Sequence, residues 1–284
     1  KVEGVTIIPS PVHLIGHFAE SWEIIGDSTL RFHIRKGNHW ALNPASEASR
    51  LVGGREADAY DAEASYKWGF DRLPDNPLPK AYTYARLTEI ERPKSIEVVD
   101  KWTIDLKGDP AGFGSMLKWT GSSMPQIPKE VIGKFDQHRF LNHVGTGPWI
   151  VVDHVSASSA TFVKNPTYWE KDPVGPGKGN QLPYIDSLKV LFIADVSTRE
   201  AALRTGKLDI LGGRKVAHGG LTYEQYNRLV NSNPKFEYNG ATQRAEMIGF
   251  RTDKPELPWY DVRVRQAAWL AIDRETILQD FFSG

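Results

Sequence analysis

The chain has 284 residues, and its 35 Lys and Arg residues balance 35 Asp and Glu residues, so the formal net charge is zero. This balance gives no reason to expect nucleic acid or an anionic membrane surface as a partner. Cysteine is absent, which excludes disulfides, thiolate catalysis and cysteine-ligated zinc within this sequence.

The first part of the chain is predicted to be mostly strand and loop. Apolar residues alternate with polar ones over residues 30–34, which is typical of a half-buried strand, and Gly37 ends it. Residues 41–60 combine Asn-Pro, Gly-Gly, Ser and Glu, and we expect a loop there. A helix should follow, capped by Asp61 and ended by Pro74.

The middle of the chain carries two predicted β-hairpins. One spans residues 96–106 with its turn near Asp100, and the other spans residues 149–163. The nearly continuous apolar run at 188–193 predicts a strand buried on both faces.

The last third alternates between helices and strands. Capping patterns at Ser197 and Thr222 predict two helices, and residues 208–211 predict a strand between them. Asp261 and Asp273 should cap two further helices near the end. This alternation is α/β in character.

No motif in the chain carries recognisable catalytic or metal chemistry. His13 and His17 are four residues apart, but Gly16 disfavours a helix and no Glu lies between the two imidazoles. No Gly-x-Ser-x-Gly elbow is present, and pairs of carboxylates arise by chance among so many acids. We therefore predict no enzyme activity, no bound metal and no cofactor.

Five collinear segments carry a resemblance to a known family. The most informative is DVRVRQAAWLAIDRE at residues 261–275. Four more segments precede it along the chain: FAESWE at 18–23, LRFHIRKG at 30–37, GTGPW at 145–149 and NPTYW at 165–169. Together they resemble the peptide/nickel-type, family 5, extracellular solute-binding proteins of ABC importers.

The resemblance implies an architecture. We expect a periplasmic-binding-protein-like α/β fold of type II, with a discontinuous α/β lobe and an inserted, mainly-β small domain. Residues 1–28 and 145–252 would form the first lobe, residues 29–144 the inserted domain, and residues 253–284 the start of the opposing lobe. Family members extend further at both ends, so we expect an internal fragment that binds solute weakly by itself.

The resemblance also implies two segments near a ligand. In relatives, the stretch before the Pro-Lys-Glu run at 128–130 approaches the site, and a strand at the place of 241–247 lies at the hinge. The candidate ligand-binding residues are Trp119, Thr120, Ser122, Met124, Gln243, Arg244 and Glu246. The alternative is internal packing of Trp119 and a surface ion pair between Arg244 and Glu246.

The function implied by the resemblance is capture of a solute outside the cytoplasmic membrane. The expected ligand is a peptide, an oligosaccharide or a similar small solute, and the expected protein partners are ABC transporter permease subunits. We expect a monomer in the periplasm or outside the cell, lipid-anchored if a lipidated segment precedes this chain. The alternatives are a ligand-presenting sensor or chaperone-like binding protein, and a hydrolase.

Overall fold

A computed structural model describes residues 16–70, 89–122, 124–136, 139–212, 221–237 and 248–282. Contacts divide the chain into two compact units. One is Pro9–Phe192, and the other is Lys1–Ile8 together with Ile193–Gly284. No helix in the described ranges combines the length and the apolar composition that a bilayer span requires.

The first unit contains an antiparallel sheet of four strands in the order β1-β2-β4-β3. Leu30, Phe32 and Ile34 are buried while the residues between them are partly exposed, which confirms the predicted half-buried strand. The hairpin with its turn near Asp100 is also confirmed, and the Asp100 carboxylate accepts from the Trp102 amide at 2.7 Å. The strands are β1 (Ala19–Ile25), β2 (Thr29–Ile34), β3 (Ser95–Asp100) and β4 (Thr103–Lys107).

Three helices pack with this sheet: α1 (Glu47–Val52), α2 (Ala59–Phe70) and α3 (Phe113–Ser122). The expected loop at 41–60 is therefore wrong in part. Ser46 caps α1 by accepting from the Ser49 amide, and Gly53 ends it at φ 67°, so local capping makes a short helix where composition suggested a loop.

The predicted cap of α2, Asp61, is wrong by three residues. The Asp58 side chain accepts from the amides of Tyr60 at 3.0 Å and Asp61 at 3.2 Å, so Asp58 caps the helix. Asp61 lies inside the helix with a fully buried side chain.

Helices and strands share one apolar core. Its largest fully buried side chains are apolar residues from the strands, from α3 and from the loops beside them: Trp40, Leu30, Ile34, Ile104, Leu106, Met116 and Val131. The described part of residues 29–144 contains more helical than strand residues, so the mainly-β description of this section needs correction to mixed α and β. The predicted domain boundaries remain predictions, and the one between residues 28 and 29 lies in the β1–β2 turn.

A second antiparallel sheet of the same unit has the order β5-β6-β7. Its first two strands, β5 (Trp149–Val155) and β6 (Ser159–Lys164), confirm the predicted hairpin. The third, β7 (Ser187–Leu191), is exposed along its whole length, so the predicted burial on both faces is wrong. The run is apolar enough for a covered strand, but no other element among the described residues shields the two faces of β7.

The second unit is helical where it is described. Asp195 caps α4 (Val196–Arg204) by accepting from the Thr198 amide at 2.7 Å, so the predicted cap at Ser197 is wrong by two residues. The predicted strand at 208–211 is not formed. The capping box at Thr222 is confirmed, with the Gln225 side chain accepting in return from the Thr222 amide at 2.9 Å.

The last two helices follow the predicted caps. Asp261 accepts from the Arg263 amide at 2.8 Å and Asp273 accepts from the Thr276 amide at 3.0 Å. The α-helices described after α4 in this unit are α5 (Tyr223–Ser232), α6 (Val262–Leu270) and α7 (Arg274–Phe282).

Candidate functional site

The first predicted ligand segment lies at the end of α3 and just beyond it. The Thr120 hydroxyl donates to the Met116 carbonyl at 2.8 Å within the helix. Met124 is buried in the apolar core. Trp119 and Ser122 belong to α3, but their side chains lie outside the described part of the structure.

The second predicted ligand segment cannot be placed. Gln243, Arg244 and Glu246 lie outside the described residues. The structure therefore does not test whether the two segments meet, and all seven candidate residues stay predictions.

The stretch that follows Met124 is fixed to α2 by a buried serine. The Ser65 hydroxyl accepts from the Ile127 amide at 2.8 Å and donates to the Ile127 carbonyl at 3.0 Å. The Lys129 amide donates to Asp61 at 3.1 Å. Both ends of this turn are thus held by side chains of one helix, which gives the segment a defined position.

A charged network lies under the same stretch. Arg55 donates to Asp61 through two nitrogens at 2.6 and 2.7 Å, and to Glu130 through two at 2.6 and 2.8 Å. The Trp40 indole N–H adds a bond to Asp61 at 3.2 Å. One guanidinium therefore joins α2 to a turn 69 residues further along the chain, counted from Asp61 to Glu130.

The network keeps its carboxylates ionised. Burial opposes the ionisation of Asp61, but hydrogen bonds from Arg55 and from the Lys129 amide outweigh it and lower the pKa of Asp61. Burial also opposes the ionisation of Glu130, but the hydrogen bond from Arg55 outweighs it, so the pKa of Glu130 is lowered. Hydrogen bonds to Asp61 in turn raise the pKa of Arg55. Because each carboxylate is engaged by Arg55, the cluster is suited to holding the segment rather than to proton transfer.

Arg35 joins three of the five sequence segments, and its backbone amide donates to the Phe18 carbonyl at 3.0 Å. Its Nε donates to the His17 carbonyl at 2.9 Å and its Nη2 to the Gly16 carbonyl at 3.1 Å. Its guanidinium lies over the Trp169 ring, 3.7 Å from the centroid. Gly16 and His17 are thereby attached both to the end of β2 and to the NPTYW segment.

A fourth segment joins the same group through Asn165. Its amide donates to the Pro148 carbonyl at 2.8 Å, and its Nδ2 donates to the Gly147 carbonyl at 2.9 Å. The GTGPW and NPTYW segments are therefore hydrogen-bonded neighbours. The residues that carry the family resemblance in this unit are largely those that hold it together.

The cluster around His17 is partly shielded from water. Burial, helped by the nearby Arg35, lowers the pKa of His17 against the opposing charge of Glu170. Tyr168 donates to Glu170, and its oxygen lies 3.4 Å from His17 Nε2. Burial, followed by the bond to Glu170, raises the pKa of Tyr168.

A cavity of about 750 Å³ opens in the first unit. Neither Thr120 nor Met124, the two predicted residues whose side chains are described, lines it. It is bordered by α1, by a short 3-10 helix at Phe140–Asn142, and by one face of β5 and β6. Its lining combines basic, imidazole and apolar side chains, among them Arg50, Arg139, His143, His154, Val151 and Phe162. No group of three or more potential metal ligands occurs within the described ranges.

A family model described as "Bacterial extracellular solute-binding proteins, family 5 Middle" matches residues 13–284. The chain belongs to this family. The family resemblance predicted from the five segments is confirmed.

Curated relatives share the family but are longer. Heme-binding protein A of Haemophilus influenzae is 27% identical over 280 residues, covering 94% of this chain and 46% of the relative. The periplasmic oligopeptide-binding protein OppA of Escherichia coli is 23% identical, with 97% and 48% covered. The chain thus spans about half the length of the curated relatives it matches.

Solved structures confirm the predicted α/β fold of a periplasmic binding protein. NikA from Brucella suis in complex with Fe(III)-EDTA superposes with a TM-score of 0.64 at 21% identity, covering 95% of this chain and 48% of that one. The binding protein MoaA from A. tumefaciens R10, in complex with mannopinic acid, gives 0.63 at 22% identity, with 96% and 48% covered. At these identities the likeness shows the fold alone.

Proposed function

We propose that the protein containing this chain is the substrate-binding component of an ABC importer. The observation that carries the proposal is the family match over residues 13–284, together with the binding-protein fold. The protein would capture a peptide, an oligosaccharide or a similar small solute outside the cytoplasmic membrane and deliver it to permease subunits. It would work as a monomer in the periplasm or outside the cell, and it would catalyse no reaction.

The proposed mechanism is closure of two lobes around the solute. Open and closed arrangements exist in equilibrium, and a ligand that binds the closed form better shifts the population towards it. Residues 1–28 with 145–252 would form one lobe, 29–144 the inserted domain, and 253–284 the start of the other lobe.

The proposed ligand contacts are the seven residues predicted from the sequence. Ser65 and Asp61 hold the backbone at Ile127 and Lys129, so the turn after Met124 has a fixed position, and a rigid backbone can keep neighbouring groups in place for a ligand. Such a cleft gains affinity mainly by burying its ligand, with a few polar groups setting its orientation.

The test is a thermal-shift panel on the full-length protein that contains this chain. The probes are trialanine, maltotriose, a nickel–histidine complex and haem, each titrated to saturation and followed by calorimetry. We expect one class to raise the melting temperature and to bind saturably without being altered. Turnover of a probe would contradict the proposal in favour of a hydrolase. If the protein binds a solute but deletion of the permease leaves uptake of that solute unchanged, a sensor would be favoured over an importer component.

A further inference from the structure

The cavity beside α1 has a preformed wall. The Ser49 hydroxyl donates to the Ala41 carbonyl at 2.9 Å and accepts from the Asn43 amide at 2.8 Å. Asn43 Nδ2 donates to the Val151 carbonyl at 3.2 Å. The loop before α1 is therefore bonded directly to β5, and this side of the cavity does not need a ligand to form it.

A second part of the lining, the turn at 139–142, is fixed as well. Asn142 Nδ2 donates to the Asp136 carbonyl at 2.7 Å, which holds the turn that carries Phe140. The Phe140 ring lies 5.7 Å from the His154 ring, centroid to centroid. This contact ties the turn to β5 at the edge of the cavity.

A β-bulge in β5 determines which side chains of that strand line the cavity. Side chains alternate between the two faces of a strand, so Val151 and His154, three residues apart, would normally point to opposite faces. The register shifts by one extra residue between Val151 and Asp153. After this bulge, Val151 pairs with Phe162 and His154 pairs with Ala160, which places all four on one face. Bulges of this kind often re-aim a side chain beside a functional site.

The charges around the cavity are predominantly positive. Arg50 and Arg139 are permanent cations, Glu47 is the one acid among the described lining residues, and the imidazoles of His143 and His154 add further nitrogen donors. Arg50 donates to the Pro44 carbonyl at 2.5 Å. Within the described ranges, neither arginine forms a salt bridge with an acidic side chain. Among the described residues, the Arg139 side chain forms no hydrogen bond, so its N–H donors can meet a ligand.

We propose that this cavity binds a small organic anion. The carboxylate would meet the guanidinium groups of Arg50 and Arg139, and an apolar group would lie on Val151, Ala160 and Phe162. A guanidinium matches a carboxylate with two parallel hydrogen bonds, and the volume is in the ~300–1,000 Å³ range of small-molecule sites. The proposal concerns the unit Pro9–Phe192 alone and does not depend on the transport role.

The test uses three probes on the 284-residue chain. These are 3-phenylpropionate, its neutral counterpart 3-phenylpropanol, and inorganic phosphate, each titrated by calorimetry and by NMR shifts of the His154 ring. We expect saturable binding of phenylpropionate, with phenylpropanol and phosphate each at least about tenfold weaker. Equal binding of phenylpropanol, or binding of phosphate alone, would overturn the proposal.

Variants separate the site from general charge effects. Arg139→Gln and Arg50→Gln should each weaken phenylpropionate binding about tenfold or more, while leaving the unfolding midpoint unchanged. The matched control is Arg263→Gln, at a largely exposed arginine of the other unit. Unchanged affinity in both cavity variants, or an equal loss in the control, would also overturn it.

Discussion

At the scale of single residues, Asp61 is a buried carboxylate on which hydrogen bonds from four other residues converge. Its side chain is fully buried and accepts from Arg55, Trp40 and two backbone amides. A buried carboxylate is tolerated only when such bonds replace its hydration. The residue thus explains why α2, residue 55 and the 127–130 stretch keep one arrangement.

Replacing Asp61 should be costly. Asp61→Asn keeps the size but leaves Arg55 with one carboxylate fewer. Breaking a buried pair costs about 3–5 kcal/mol, and the partial exposure of Arg55 lowers our expectation to roughly 2–4 kcal/mol. Urea unfolding at neutral pH measures the loss. The matched control is Asp153→Asn at an exposed position of the same unit, and a loss no greater than in that control would show that the network contributes little.

The same network predicts how stability depends on pH. Both Asp61 and Glu130 have folded-state pKa values below their ordinary values of 3.8 and 4.5. A lowered folded pKa means that the unfolded chain takes up protons first, so the stabilisation is present above these ordinary values and is lost as pH falls below them.

Urea unfolding of the wild-type chain and of Asp61→Asn from about pH 6 to about pH 3 tests this. The wild-type chain should lose more stability on acidification than the variant, because the variant has already lost one of the groups responsible. Parallel curves for the two proteins would show that Asp61 is not a source of the acid sensitivity.

At the scale of elements, one hydroxyl makes two of the hydrogen bonds between α2 and the 124–130 stretch. Ser65 satisfies both the amide and the carbonyl of Ile127 in a buried place. Ser65→Ala should leave two buried backbone groups without a partner, which costs about 1–3 kcal/mol for each group left unsatisfied. Hydrogen exchange at the Ile127 amide should accelerate accordingly. Ser95→Ala, at a half-exposed strand end, is the control, and equal protection of Ile127 in both variants would refute the role of the hydroxyl.

Elements were predictable where the signal is local. The two hairpins follow from alternating apolar residues, and the caps at Thr222, Asp261 and Asp273 follow from side chains that bond to amides two or three residues away. The caps at Asp58 and Asp195 were missed because another plausible cap lies two or three residues later, at Asp61 and Ser197. Only the actual hydrogen bonds distinguish such neighbours.

Elements and sites that depend on distant partners were not predictable. The apolar run of β7 indicates a covered strand, yet whether its faces are covered depends on which distant elements pack on the sheet, and in the structure β7 is exposed. The bond from Arg55 to Glu130 joins residues 75 apart. The cavity depends on a bulge that moves the His154 side chain to the other face of β5. The local sequence contains no pattern that predicts this bulge.

At the scale of the whole molecule, four of the five resemblance segments meet in the first unit. The Arg35 amide donates to the Phe18 carbonyl and the Arg35 guanidinium stacks on Trp169, while Asn165 bonds the turn at Gly147. These contacts explain why a fold could be inferred from short motifs whereas a ligand could not. The motifs hold the scaffold, and the predicted ligand contacts at 243–246 lie outside the described residues.

The central claim, solute capture for import, is tested most directly by uptake in the native host. The measurement is accumulation of the radiolabelled solute that binds saturably in the thermal-shift panel, compared between wild-type cells, a deletion of the gene and the complemented deletion. We predict that accumulation from dilute medium falls to background in the deletion and returns on complementation. Undiminished accumulation in the deletion strain would contradict the account.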